Sequence, residues 1–389
     1  MRPGRPRSGA VGEKGTAVAE DTKEEPRKQG ERSVPKPQFT DAEAGAVEFP
    51  SSTSRAFNYF EPAKMRATTY EDVTMDVQPD PERHLTQGWV YGFANGPGGY
   101  PQEWTALKST NWHKFLDPNE EWERTIYRNN ANVVRQIQYN LDNAKAEKAF
   151  DRWNSAWAKV VANHVGAWMH IEHGLGMHVF VPAQRDAPTN MINNAISVNS
   201  MHKLRFAQDL ALYNLELDDQ IDEFDGQAHL ETWNSGSEWQ PVRELVENIT
   251  AIRDWAEAVF VANVIFEPLV GELFRSGFVM QMAAPHGDFV TPTIMGAGEA
   301  DFDRDLKYTR VLFEMLTSDE THGDHNVSVM GEWLGEWTPK ALDAARNLQP
   351  LWSQSEAKTV RFEDGLEQAR TRFAGILEDL GLETPQEAK

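Results

Sequence analysis

The chain has 389 residues, of which 40% are hydrophobic and 25% charged, with a formal charge of −22 and no cysteine. That length can bury a large core, and the missing thiols exclude disulfides and thiolate metal sites and suit a reducing cytoplasm. The acidity argues against nucleic acid as a partner, since phosphate contacts need clustered Lys and Arg. No apolar run reaches the length of a membrane span or resembles the core of a signal peptide, so neither membrane nor export is expected. Thirteen tryptophans hint at a large partner surface.

Residues 1–50 are rich in Pro, Gly, Ser, Lys and Glu without aliphatic periodicity, and read as a disordered tail. An irregular, aromatic-rich arm follows over 51–117, with Tyr59, Tyr70, Trp89, Trp104, Trp112 and Phe115, broken by Asn95-Gly-Pro-Gly-Gly99. Such aromatics suit packing across a surface, either the chain's own or a partner's. A helical domain is expected over 118–389. Asp117-Pro118-Asn119-Glu120 reads as a helix start, with helical patterning to Phe150, then over 152–181, 185–219 and 241–280 (Pro268 marking a kink). A Gly/Pro loop is expected at 285–298 and a helix over 301–337. Thr338-Pro339 reads as the start of another, and 356–382 as a last amphipathic one. No alternation of the β type appears after residue 110, so the fold class is mainly α.

Long helices of this kind carry inward stripes, and four of them are interrupted by one charge each. Val161, Val165, Trp168, Glu172, Leu175 and Val179 form the first, and Ile196, Asn199, Lys203, Phe206, Leu210 and Tyr213 the second. Phe260, Val264, Glu267, Gly271, Phe274 and Phe278 form the third; Phe313, Leu316, Glu320, Gly323 and Val327 belong to the fourth. Inward carboxylates on four helices are the ground plan of ferritin-like di-iron bundles, in which two helices give one Glu and two give Glu-x-x-His. Here Lys203-Leu-Arg-Phe206 puts an ammonium for the carboxylate and a phenyl ring for the imidazole, and Glu320-Thr-His-Gly323 keeps the acid but lacks the ligand. The expectation is a degenerate site: a buried salt-bridge cluster of Glu172, Lys203, Glu267 and Glu320 in place of iron, its excess acid offset by a protonated Glu or by His170 or His173.

Trp112-His-Lys-Phe-Leu-Asp-Pro118, Lys203-Leu-Arg-Phe-Ala-Gln-Asp-Leu-Ala-Leu-Tyr213, Phe266-Glu-Pro-Leu-Val-Gly-Glu-Leu-Phe-Arg275 and Asp319-Glu-Thr-His-Gly-Asp324 carry a resemblance. Over about residues 57 to 380 the chain resembles the small (beta) subunit of bacterial soluble multicomponent di-iron monooxygenases, of the propane/phenol-oxidising type. The resemblance implies a ferritin-like fold shared with a catalytic large (alpha) subunit that holds the di-iron centre, and an α2β2 hydroxylase served by a reductase and a coupling protein. It implies NADH-dependent oxidation of propane, phenol or a related hydrocarbon, with no catalytic, metal or cofactor-binding residue in this chain. The arm is the expected inter-subunit surface. The alternative is a stand-alone ferritin-like metal oxidase, which would need intact Glu-x-x-His pairs, or a storage protein, which would not need the Trp-rich arm.

Overall fold

The protein is described by a computed structural model that covers residue 62 and residues 67–75, 104–222 and 224–389. The expected tail at 1–50 and most of the arm lie outside the described residues. Among those described there is no β-strand, as expected of a mainly α chain.

A short helix α1 (Thr69–Thr74) opens with a capping box between Thr68 and Glu71. Its Tyr70 is buried, and the phenol oxygen accepts the Asp117 N–H at 3.2 Å. Residues 104–117 lie on the chain's own bundle: Leu107, Trp112 and Phe115 are buried, and the Trp112 ring meets Trp255 edge-on, centroids 5.8 Å apart. Asn326 pairs with both backbone groups of Lys108 (2.9 and 2.8 Å), and Asp319 accepts the Thr110 N–H at 2.7 Å. The arm, expected to face a partner, is therefore in this part a clasp on its own domain.

The start signal at Asp117 is a turn and not a helix end. Its carboxylate accepts the Asn119 N–H at 2.9 Å, and Glu120 sits at φ 48°, a left-handed conformation that ends any helix. Helix α2 (Glu123–Ala146) begins one turn later. The next helix, α3, runs unbroken over 155–186 with two π-helical stretches, Val161–Val165 and Leu175–Phe180. Helix α4 (Asn190–Gln220) is capped by the Thr189 hydroxyl, and α5 (Ala228–Ser235) and α6 (Gln240–Thr250) follow. The helix expected over 241–280 is two helices. Asp254 breaks it by accepting the N–H groups of Ala256 and Glu257, and so caps α7, which spans 255–283. Most of α7 is π-helical, over Val261–Gly271 and Leu273–Val279, and these wide turns accommodate Pro268 without ending the helix.

Helix α8 (Thr291–Thr317) starts inside the expected loop, because Pro292 in a first turn removes an N–H that had no partner anyway. The helix expected over 301–337 breaks at 318–322 before α9 (Gly323–Asn347), which runs straight through Thr338-Pro339. Short α10 (Gln349–Gln354) and amphipathic α11 (Phe362–Asp379) complete the chain. Helices α3 and α4 pack along each other, α8 lies against α4 and α7, and α7 is further covered by α9 and α11. The centre of the bundle is thus walled by α3, α4, α7 and α8.

Candidate functional site

The stripes read on α3 and α7 are buried along their whole length, and each brings its Glu to the bundle centre. Glu172 and Glu267 have no exposed surface, and Lys203 from α4 enters between them, 4% exposed. Its ammonium lies 3.1 Å from Glu172 Oε2 and is bonded to Glu267 Oε1. A second cation completes the cluster: Arg275, fully buried, donates from Nη2 to Glu267 Oε2 at 2.7 Å and from Nη1 to Glu172 Oε1 at 3.4 Å. From Nε it reaches Glu299 of α8 at 3.1 Å. The Trp168 indole N–H donates to Glu172 at 2.7 Å, and its ring lies 5.6 Å from the Arg275 guanidinium carbon.

Three carboxylates meet two cations here, one of them a guanidinium that reaches all three acids, so nearly every charge has a partner. Burial pushes the Glu172 carboxyl up, with Lys203 and Arg275 only partly restoring it. Burial also acts on Glu267, but Arg275 and Lys203 outweigh it and hold that carboxyl below its ordinary value. For Lys203 burial opposes the charge, and the two glutamates prevail and raise its pKa. Charge compensation thus comes from Arg275. The histidines expected to help do not reach the site: His173 is exposed on α3, and His170 bonds His229 at 2.9 Å.

Sequence reasoning missed Arg275 for a geometric reason. Eight residues beyond Glu267, it is about 80° off the stripe of a regular helix, and α7 is buried on nearly every side, so its core-facing residues are not confined to that stripe. Gly271 between them clears the space; a Cβ there would press on Glu267 Oε2 and come within 3.0 Å of Arg275 Nη1.

The fourth acid was misplaced. Glu320 is exposed in the 318–322 turn and joins no cluster, because the Asp319 carboxylate, by accepting the N–H groups of Thr321 and His322, ends helical phase there. Gly323 is the first residue of α9, where a Cβ would meet the Thr317 carbonyl at 2.5 Å. The acid that α8 does supply is Glu299, and three residues on, Phe302 lies 5.9 Å from the Arg275 guanidinium. Phe206, in turn, packs against Gly298, whose missing Cβ would stand 2.5 Å from the ring. Both places where an imidazole would close a metal shell hold phenyl rings.

Next to this cluster lies a second one that the stripes did not reveal. His202 bonds Asp305 at 2.8 Å and stands 3.6 Å from Glu121, and Arg205 is paired with Asp209 and Asp301. Burial disfavours the imidazolium, but Asp305 and Asp301 outweigh it and raise the His202 pKa.

The donors present do not fit a pair of iron ions. Ammonium and guanidinium groups occupy the space between the acids, and among the described residues no group of three or more His, Asp and Glu could hold a metal. A long-helix bundle of the carboxylate-centred kind, with cations in the centre, is the class that fold and site define.

Comparison with known proteins gives that class a family. A family model described as Methane/Phenol/Alkene Hydroxylase matches residues 89–320. The propane 2-monooxygenase hydroxylase component small subunit of Gordonia sp. (strain TY-5) is 60% identical over 362 residues, covering 93% of this chain and 98% of its own. The beta chain of methane monooxygenase component A from Methylococcus capsulatus is 25% identical, covering 84% and 88% of the two chains. In fold, the chain is similar to phenol hydroxylase from Pseudomonas sp. OX1, with a TM-score of 0.66 at 19% identity over 82% of this chain and 92% of that one. The chain belongs to the methane/phenol/alkene hydroxylase family, on the side of its small, or beta, chains.

Proposed function

We propose that this chain is the non-catalytic small subunit of a propane-oxidising monooxygenase hydroxylase. It braces a large subunit that carries the di-iron centre, in an α2β2 complex. A reductase and a coupling protein supply electrons from NADH, and the system works in the cytoplasm. The observation that carries the reading is Lys203, held with Arg275 between Glu172 and Glu267, where a catalytic bundle would place metal. Propane is favoured as substrate because relatives described as propane 2-monooxygenase small subunits are 57–60% identical, against 25% for a methane monooxygenase beta chain. A stand-alone oxidase would need imidazoles where Phe206 and Phe302 stand.

The test is to purify the chain alone and with its large partner. We expect iron well below one atom per isolated chain and a stable heteromeric complex on co-expression. Iron near two per isolated chain, or a chain that stays monomeric beside the large subunit, would overturn the reading.

A further inference from the structure

Helix α4 is built inside out. Between Ser197 and Leu215 its charged residues, His202, Lys203, Arg205 and Asp209, are all buried, and every residue that is not buried is uncharged. Helix α3 beside it behaves alike: between Asn163 and Gln184 no residue outside the core is Asp, Glu, Lys or Arg. The two helices are joined along their length, with the Ser200 hydroxyl donating to the Gly176 carbonyl at 2.9 Å and Asn193 donating to the Gln184 side chain at 2.7 Å. Their outer surfaces therefore form one sheet-like face. Met177 (40% exposed), Val181 (37%), Leu212 (54%) and Leu215 (64%) stand out from it, with Met201 and Leu204 half-buried between them.

The outer side of another long helix looks different. The outer side of α9 carries Glu332, Glu336, Lys340 and Asp343, all exposed. In a protein that is one-quarter charged and carries −22 overall, a two-helix face without a formal charge is the depletion that marks the core of a protein–protein interface. A helix whose outer side carries apolar side chains and no Asp, Glu, Lys or Arg is one expected to be covered on that side as well. The face is about 27 Å long by helix rise and about 20 Å wide for two helices. Counting the relief of its side chains, it approaches the ~800 Å² per partner of a stable interface.

We infer that the outer face of α3 and α4 is the docking surface for the large hydroxylase subunit. This rests on the subunit reading above. A second copy of this chain is the less suitable occupant, since two bodies of −22 repel one another, whereas a different chain need not carry that charge.

The experiment uses the full chain and the large hydroxylase chain of the same system. Leu212→Glu with Leu215→Glu is expected to weaken the complex about 100-fold or more, while Glu332→Lys with Asp343→Lys leaves it unchanged. A wild-type complex that the leucine substitutions leave intact overturns this face and spares the subunit reading. Absence of any wild-type complex overturns the subunit reading and this inference with it. A wild-type homodimer dissolved by the same substitutions, with the heteromeric complex retained, gives the face to a second copy and overturns the inference. If the double variant does not fold, hydrogen exchange on the wild-type chain decides: slowed exchange over 173–181 and 201–215 on adding the large subunit supports the face, and unchanged exchange overturns it.

Discussion

Lys203 shows what a buried ion cluster asks of single residues. Two fully buried acids face its ammonium, so removing it leaves more negative charge than Arg275 can balance. Lys203→Met is expected to destabilise the chain by ~3–5 kcal/mol, read by chemical denaturation, and Glu172→Gln added to it should recover part of the loss. Glu172, Lys203 and Glu267 were legible in the sequence because each interrupts an otherwise apolar stripe. Arg275 was not legible, because it lies off the stripe of Glu267 on a helix that is buried on nearly every side.

Glu272 adds a pH-dependent prediction. Burial, then the nearby Glu299 carboxylate, push its carboxyl from 4.5 up to about 7. The folded chain thus holds a proton that the unfolded chain releases from about pH 4.5, so this group costs stability as pH rises toward 7 and beyond. Glu272→Gln should therefore stabilise the protein at pH 8 by roughly 1–3 kcal/mol relative to its effect at pH 4. Thermal unfolding at the two pH values measures this; equal effects at both would contradict it.

Among the elements, the bundle helices were predictable in kind and less so in extent. Long apolar stripes define α3 and α4, but breaks at Asp254 and Asp319 depend on carboxylates that cap the backbone after them, and a stripe continues across such a break without noticing it. Glu320 was assigned to the core for that reason. Asp319 serves the clasp as well, since the same carboxylate accepts the Thr110 N–H and hydroxyl. Asp319→Ala should loosen residues 104–117 and speed proteolysis within them, with a stability loss of about 1–3 kcal/mol; protection equal to wild type would show that the buried side chains and Asn326 hold the segment without it. Packing gives a further element-scale test. Gly298→Ala drives a methyl group into Phe206 and should cost about 1–3 kcal/mol, and Phe206→Leu in that background should return some of it.

At the scale of the whole molecule, the fold class could be read from helical periodicity, and the missing imidazoles at Phe206 argued for a supporting role. The inward stripe of α4 left Leu212 and Leu215 off the core side, where the structure places them, but it does not say what their outward face meets. If the chain acts through assembly, Lys203→Met that still assembles should retain turnover per assembled complex. Assayed propane oxidation that vanishes while the complex remains intact would contradict that role.

The pairing of Lys203 and Arg275 with their glutamates has a consequence for how the chain is made. A di-iron bundle without iron must protonate its carboxylates or leave them unpaired, whereas here the neutralising charges arrive with the polypeptide. Folding of this subunit is thereby uncoupled from the supply of iron, and a chelator in the growth medium should leave its yield unaltered.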